Sequence, residues 1–106
     1  SLRENTTGRR NTSIGHLALA QNITGNNNTA IGGQALSDNT SGISNIAIGA
    51  FTLTSNTVGI NNVSTGNQSM RYNETGEGNT AYGDYALKGD LDDITPPVGT
   101  GNFNTA

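Results

Sequence analysis

The chain has no cysteine and no tryptophan, and only one histidine among its 106 residues. Without thiols it has neither a disulfide framework nor a thiolate metal site, and a Cys/His catalytic pair is excluded. His16 alone would have to serve any Ser/His/acid triad. Charge is scarce as well, at 12% of residues with a net charge of −3, so the basic footprint of a nucleic-acid binder is missing. No segment approaches the roughly 20 apolar residues of a membrane span, and no signal-peptide pattern opens the sequence. Membrane insertion by this segment is therefore not expected, and an export signal would lie outside it. Hydrophobic residues make up 31% and aromatics 5%, which is thin for a conventional globular core. Low hydrophobicity combined with low charge also differs from the usual disordered chain. What remains is a neutral polar sequence of Asn, Thr, Ser and 15 glycines.

A fixed period organises that polar background. With Asn as position one, the units are NTSIGHLALAQNITGNN from Asn11, NTAIGGQALSDNTSGIS from Asn28, NIAIGAFTLTSNTVGIN from Asn45 and NVSTGNQSMRYNETGEG from Asn62. A fifth begins at Asn79, and each start lies seventeen residues after the last. The pattern resumes at Gly101, with Asn104 standing 25 residues after Asn79, so an eight-residue insertion falls within 88–100. Partial coils are expected at both ends, from Asn5 to Arg10 and from Asn104 to Ala106, as in a piece of a longer fibre. The whole of 1–106 reads as a single segment. Periods of this kind mark solenoids, whose stacked units bury a continuous core between them.

Each position in the unit suggests a role. Glycine at position five (Gly15, Gly32, Gly49, Gly66, Gly83) and at position fifteen (Gly25, Gly42, Gly59, Gly76) suits corners that need positive φ or close backbone approach. Two corners predict two short strands per coil. Position two is β-branched (Thr12, Thr29, Ile46, Val63, Thr80), as a pleated segment favours. Position four (Ile14, Ile31, Ile48, Thr65, Tyr82) and position nine (Leu19, Leu36, Leu53, Met70, Leu87) carry the apolar bulk and are read as the interior stripes. Asn at position one predicts a ladder of side-chain amides running from coil to coil. The small residues at positions three and eight are read as surfaces where neighbouring chains approach. One Ile and one Leu per coil is little to offset the ordering of seventeen residues, so a symmetric homo-oligomer is expected.

The phrases NTAIGGQAL (28–36), NIAIGAFTL (45–53) and NTAYGDYAL (79–87) resemble the AIG-containing repeats of YadA-like heads in trimeric autotransporter adhesins, and related repeats of bacteriophage and other viral tail fibres. The resemblance covers nearly the whole chain, although the seventeen-residue unit is longer than that of the adhesin heads. It implies an all-β fold, a left-handed parallel β-roll with three chains around an axis. It also implies a non-enzymatic part in attachment at a bacterial cell surface or virion, as a rod that spaces or presents a receptor-binding region. The partners it implies are two further copies of the chain and a host-surface protein or glycan receptor.

No catalytic, cofactor-binding or metal-binding residue is assigned, and no cofactor is expected. Asp90, Asp92 and Asp93 lie in the insertion, the one irregularity on a regular scaffold, and are the candidate partner-binding residues. His16 is read as an exposed corner residue, and Arg3, Arg9 and Arg10 as a solvated surface with some capacity for anionic glycans. Sequons at Asn5, Asn11, Asn22, Asn39, Asn62, Asn67 and Asn73 arise from composition, and those at position one would be buried by the ladder. The alternative function is ice binding through threonines at positions two and fourteen. A polysaccharide-cleaving enzyme is a weaker third reading, because the regular coils carry few acids.

Overall fold

The computed structural model describes residues 1–89, and these form a parallel β-solenoid with coils of about seventeen residues. Asp90, Asp92, Asp93 and the rest of the insertion lie outside the described residues. Each coil contributes one three-residue strand from positions two to four: β1 (Thr12–Ile14), β2 (Thr29–Ile31), β3 (Ile46–Ile48), β4 (Val63–Thr65) and β5 (Thr80–Tyr82). They stack in chain order as one sheet of five parallel strands. The register repeats without slip: Thr12 is beside Thr29, Thr29 beside Ile46, Ile46 beside Val63 and Val63 beside Thr80. Identical positions therefore form columns along the axis, one strand spacing of roughly 4.8 Å apart.

The expected second strand is absent among the described residues, and the backbone explains why. Positions seven and nine are left-handed in successive coils, with φ of 59° at Gln34, 51° at Leu36, 58° at Phe51 and 49° at Leu53. Alternating left-handed residues wind that side into turns, which a pleated strand does not tolerate. Bonds between coils hold the conformation: Leu19 donates its N–H to Ala35 O at 3.0 Å, and Leu36 to Thr52 O at 3.1 Å.

The interior also differs from the expectation at position four. Ile14, Ile48 and Tyr82 point outward and are exposed, while Ala30, Ala47 and Ala81 at position three are buried with Leu19, Leu36, Leu53 and Met70. A strand alternates its faces, so positions two and four share one side and position three takes the other. Position three is Ala or Ser in every described coil, and Ala30, Ala47, Ser64 and Ala81 are buried there. Position eight is interior too, with Ala18, Ala35, Thr52 and Ser69 buried. Positions three and eight thus close the chain's own core, which corrects their reading as surfaces between chains. Where hydroxyls replace alanines they bond one another: Ser64 Oγ lies 2.8 Å from both Thr52 Oγ1 and Ser69 Oγ.

Two asparagine ladders complete the interior. At position one, Asn45 Nδ2 and Asn62 Nδ2 reach Oδ1 of the preceding Asn28 and Asn45 at 3.3 and 3.1 Å, and the same oxygens accept the backbone N–H at 2.9 and 3.0 Å. A second ladder runs along position twelve, where Asn22 donates to Asn5 at 2.8 Å, Asn39 to Asn22 at 2.7 Å and Asn56 to Asn39 at 2.9 Å. The ladders meet at the position-fifteen carbonyl: Gly42 O accepts Asn28 Nδ2 at 2.8 Å and Asn39 Nδ2 at 3.2 Å. Among the described residues no buried side-chain nitrogen or oxygen lacks a partner. Complete pairing is what makes a polar interior stable, because an unpaired buried amide loses its water without replacement.

Candidate functional site

Three features of the surface remain after the fold is accounted for. The first is the outer face of the sheet. Its two columns, Thr12, Thr29, Ile46, Val63 and Thr80 at position two and Ile14, Ile31, Ile48, Thr65 and Tyr82 at position four, contain no charged residue. Ile14 is 59% exposed, Ile46 38%, Ile48 39%, Val63 37% and Tyr82 79%. Because the strands are in register, these side chains are neighbours along the sheet rather than isolated exposures. Contiguous apolar surface of this kind marks interaction sites in soluble proteins.

The second feature is a flank built from positions seven, ten and eleven. At its first coils it forms an open groove of about 520 Å³, lined by Arg3, Leu17, Gln21, Gln34 and Asp38 among others. Further along, Arg71 lies over the rings of Phe51 and Tyr72, at 5.2 and 5.4 Å from their centroids. Its guanidinium also donates to Gln68 Oε1 at 2.9 Å. In the next coil the Lys88 ammonium sits 5.0 Å from the Tyr85 ring centre. None of the four described aromatic residues, Phe51, Tyr72, Tyr82 and Tyr85, is buried. Phe51 and Tyr85 stand at position seven, where the backbone is left-handed at φ of 58° and 61°.

The third is a hollow of about 470 Å³ bounded by Arg9, Arg10, Asn26, Asn27 and Ile43. Asn26 Oδ1 accepts the Arg9 backbone N–H at 2.8 Å, which ties the two coils together beneath it. The three arginines read together from the sequence are thus divided, with Arg3 in the groove and Arg9 and Arg10 here.

The remaining sequence candidates are structural. His16 is exposed on the corner after Gly15, and its carbonyl accepts the Gln34 N–H at 2.8 Å. Among the described residues no three His, Cys, Asp or Glu side chains gather as a metal-binding group. Of the sequon asparagines, Asn22, Asn39, Asn62 and Asn73 are buried in the ladders, whereas Asn5 is exposed and Asn11 and Asn67 are half-buried. Residue-by-residue reading missed the flank because its members come from different coils and no short motif joins them. The signal available was the coincidence of aromatic and cationic residues at positions seven, ten and eleven. Comparison with protein-family models, with curated proteins and with solved structures finds no match.

Proposed function

We propose that this chain is a non-enzymatic segment of an extracellular attachment fibre, on a bacterial cell surface or a virion, in which three copies associate through the outer sheet face to make a rigid rod. The observation that carries the reading is the uncharged face of positions two and four, with Ile14, Ile46, Ile48 and Val63 exposed in register. Each coil closes only a narrow core of leucine and alanine, so a second buried layer between chains adds the apolar burial a long rod needs. The unbroken register of the sheet repeats the same positions from coil to coil, so that layer can continue along the rod. Such a rod spaces or presents a binding region.

Light scattering coupled to size exclusion, with a thermal melt on the same sample, tests the assembly. A trimer whose melting temperature rises with protein concentration supports it. A stable monomer whose melt is independent of concentration refutes it.

The outward threonines favour one competing reading. Thr12, Thr29 and Thr80 occupy the same columns as the isoleucines, so a solitary solenoid would present hydroxyls and methyls at strand spacing, as an ice-binding surface does. The two readings share the position-two column and exclude each other there. Thermal hysteresis from a monomer supports ice binding, and a trimer without hysteresis disposes of it.

A further inference from the structure

We infer that the flank of positions seven, ten and eleven binds an acidic oligosaccharide laid along the rod axis, with Arg71 and Lys88 receiving its carboxylates. This deepens the attachment reading by assigning the rod a ligand class of its own. It uses a different part of the coil from the outer sheet face.

The chemistry of the flank matches a sugar chain in three respects. A pyranose ring has one face lined with C–H bonds, which pack on an aromatic ring, and Phe51, Tyr72 and Tyr85 offer rings outside the core. Its hydroxyls both donate and accept, and the groove supplies two-way partners in Gln21 and Gln34 with an acceptor in Asp38. A sugar carboxylate needs an oriented cation. Arg71 lies over the Phe51 and Tyr72 rings and donates to Gln68, and Lys88 lies over the Tyr85 ring. Guanidinium stacked on an aromatic ring is less free than a solvated lysine, so less entropy is lost when it binds an anion.

The same inventory disfavours nucleic acid. Glu4 and Asp38 line the groove beside Arg3, and the protein is net acidic at −3. A phosphate on every unit would meet repulsion there, whereas the hydroxyls of a short saccharide donate to those carboxylates while its own carboxylates fall two coils or more further along, at Arg71 and Lys88. Coils repeat at roughly 4.8 Å, a spacing comparable to one pyranose unit, so a linear oligosaccharide meets successive coils in similar fashion.

The test is titration of the full chain with oligogalacturonate, with a neutral oligoglucose of equal length, with dextran sulfate and with single-stranded DNA, followed by tyrosine fluorescence and amide NMR shifts. Oligogalacturonate is expected to bind at least about tenfold more tightly than the neutral chain, the difference one oriented charge pair commonly makes. Arg71→Gln and Tyr85→Ala should each weaken it by about tenfold, while Arg10→Gln in the separate hollow changes it less than about twofold. Each variant is checked by mass and melt, and Lys88→Gln and Gln34→Ala supply the same test if Arg71→Gln or Tyr85→Ala unfolds. Absence of oligogalacturonate binding, equal binding of dextran sulfate or DNA, or indifference to all four flank variants overturns the inference. A trimer that binds no oligosaccharide leaves the rod a spacer, and a monomer that binds one removes the trimer while keeping the flank.

Discussion

Asn28 and Asn39, eleven residues apart in one coil, both donate to the carbonyl oxygen of Gly42, at 2.8 and 3.2 Å. The same pairing recurs one coil on, where Asn45 and Asn56 meet Gly59 O at 2.7 and 3.2 Å. The position-fifteen corner is thereby the junction of the two ladders, and substitutions around it should be more disruptive than the polar character of the residues suggests.

Asn39→Ala should therefore destabilise the rod by about 3 kcal/mol, because it removes the donor to Asn22 and Gly42 and leaves the buried Nδ2 of Asn56 without its ladder acceptor. Gln21→Ala, on the exposed side of the coil before, should change stability by less than about 0.5 kcal/mol. Urea denaturation of the two variants at equal protein concentration checks the contrast.

Glycine at the corner is required by contact and not by φ. A Cβ at Gly42 would run into Asn39 Oδ1 and approach Gly59 O to 2.6 Å, yet Gly42 has no positive φ. A Cβ at Gly33 would meet nothing within 4 Å. Gly42→Ala should cost about 2 to 3 kcal/mol, as overpacking does, while Gly33→Ala should be neutral or stabilise by up to about 1 kcal/mol. Thermal melts of the two variants separate the outcomes.

Ser44 occupies position seventeen with φ of 57°, where the next-but-one coil uses Gly78 with φ of 68°. Ser44→Gly relieves a left-handed side chain but frees the unfolded backbone, and the balance should be a gain of about 0.5 kcal/mol. A melting temperature unchanged or raised slightly is expected, and a fall of several degrees would contradict it.

Leu36 and Ile48 distinguish interior from interface. Leu36 is fully buried, so Leu36→Ala should destabilise by about 2 to 5 kcal/mol at any protein concentration. Ile48→Lys should leave the coil folded and lower the molecular mass in solution, because a charge is placed in the centre of the proposed contact between chains. Circular dichroism and light scattering on the same samples make the comparison.

Expression in a host that N-glycosylates secreted chains should divide the product. A glycan on Asn22, Asn39, Asn62 or Asn73 has no room within the ladders, so folded material should carry none there and misfolded material should. Site-resolved mass spectrometry of the two fractions reads this directly.

Much of this architecture was legible residue by residue. The seventeen-residue period, the glycines at positions five and fifteen, the leucine column of Leu19, Leu36 and Leu53 and the ladder from Asn11 to Asn79 follow from recurrence, since stacked coils make every periodic residue its own neighbour. Asn5, Asn22, Asn39, Asn56 and Asn73 recur as regularly, and their ladder was open to the same argument. Recurrence says which residues share a column and nothing about which way the column points. Ile14, Ile31 and Ile48 form as apolar a stripe as the leucines, yet they face outward. The direction is set by how the chain turns at Gly15 and winds through its left-handed residues at positions seven and nine, which gathers Leu19, Leu36 and Leu53 with Ala30 and Ala47 in the core. The flank around Arg71 likewise joins residues of separate coils that no local pattern connects. The sequence by itself determined the period, the columns and the ladder chemistry, because these depend only on spacing. Tertiary structure alone decided which columns became core and which became surface, because the sense of a three-residue strand is fixed by the closure of the whole coil.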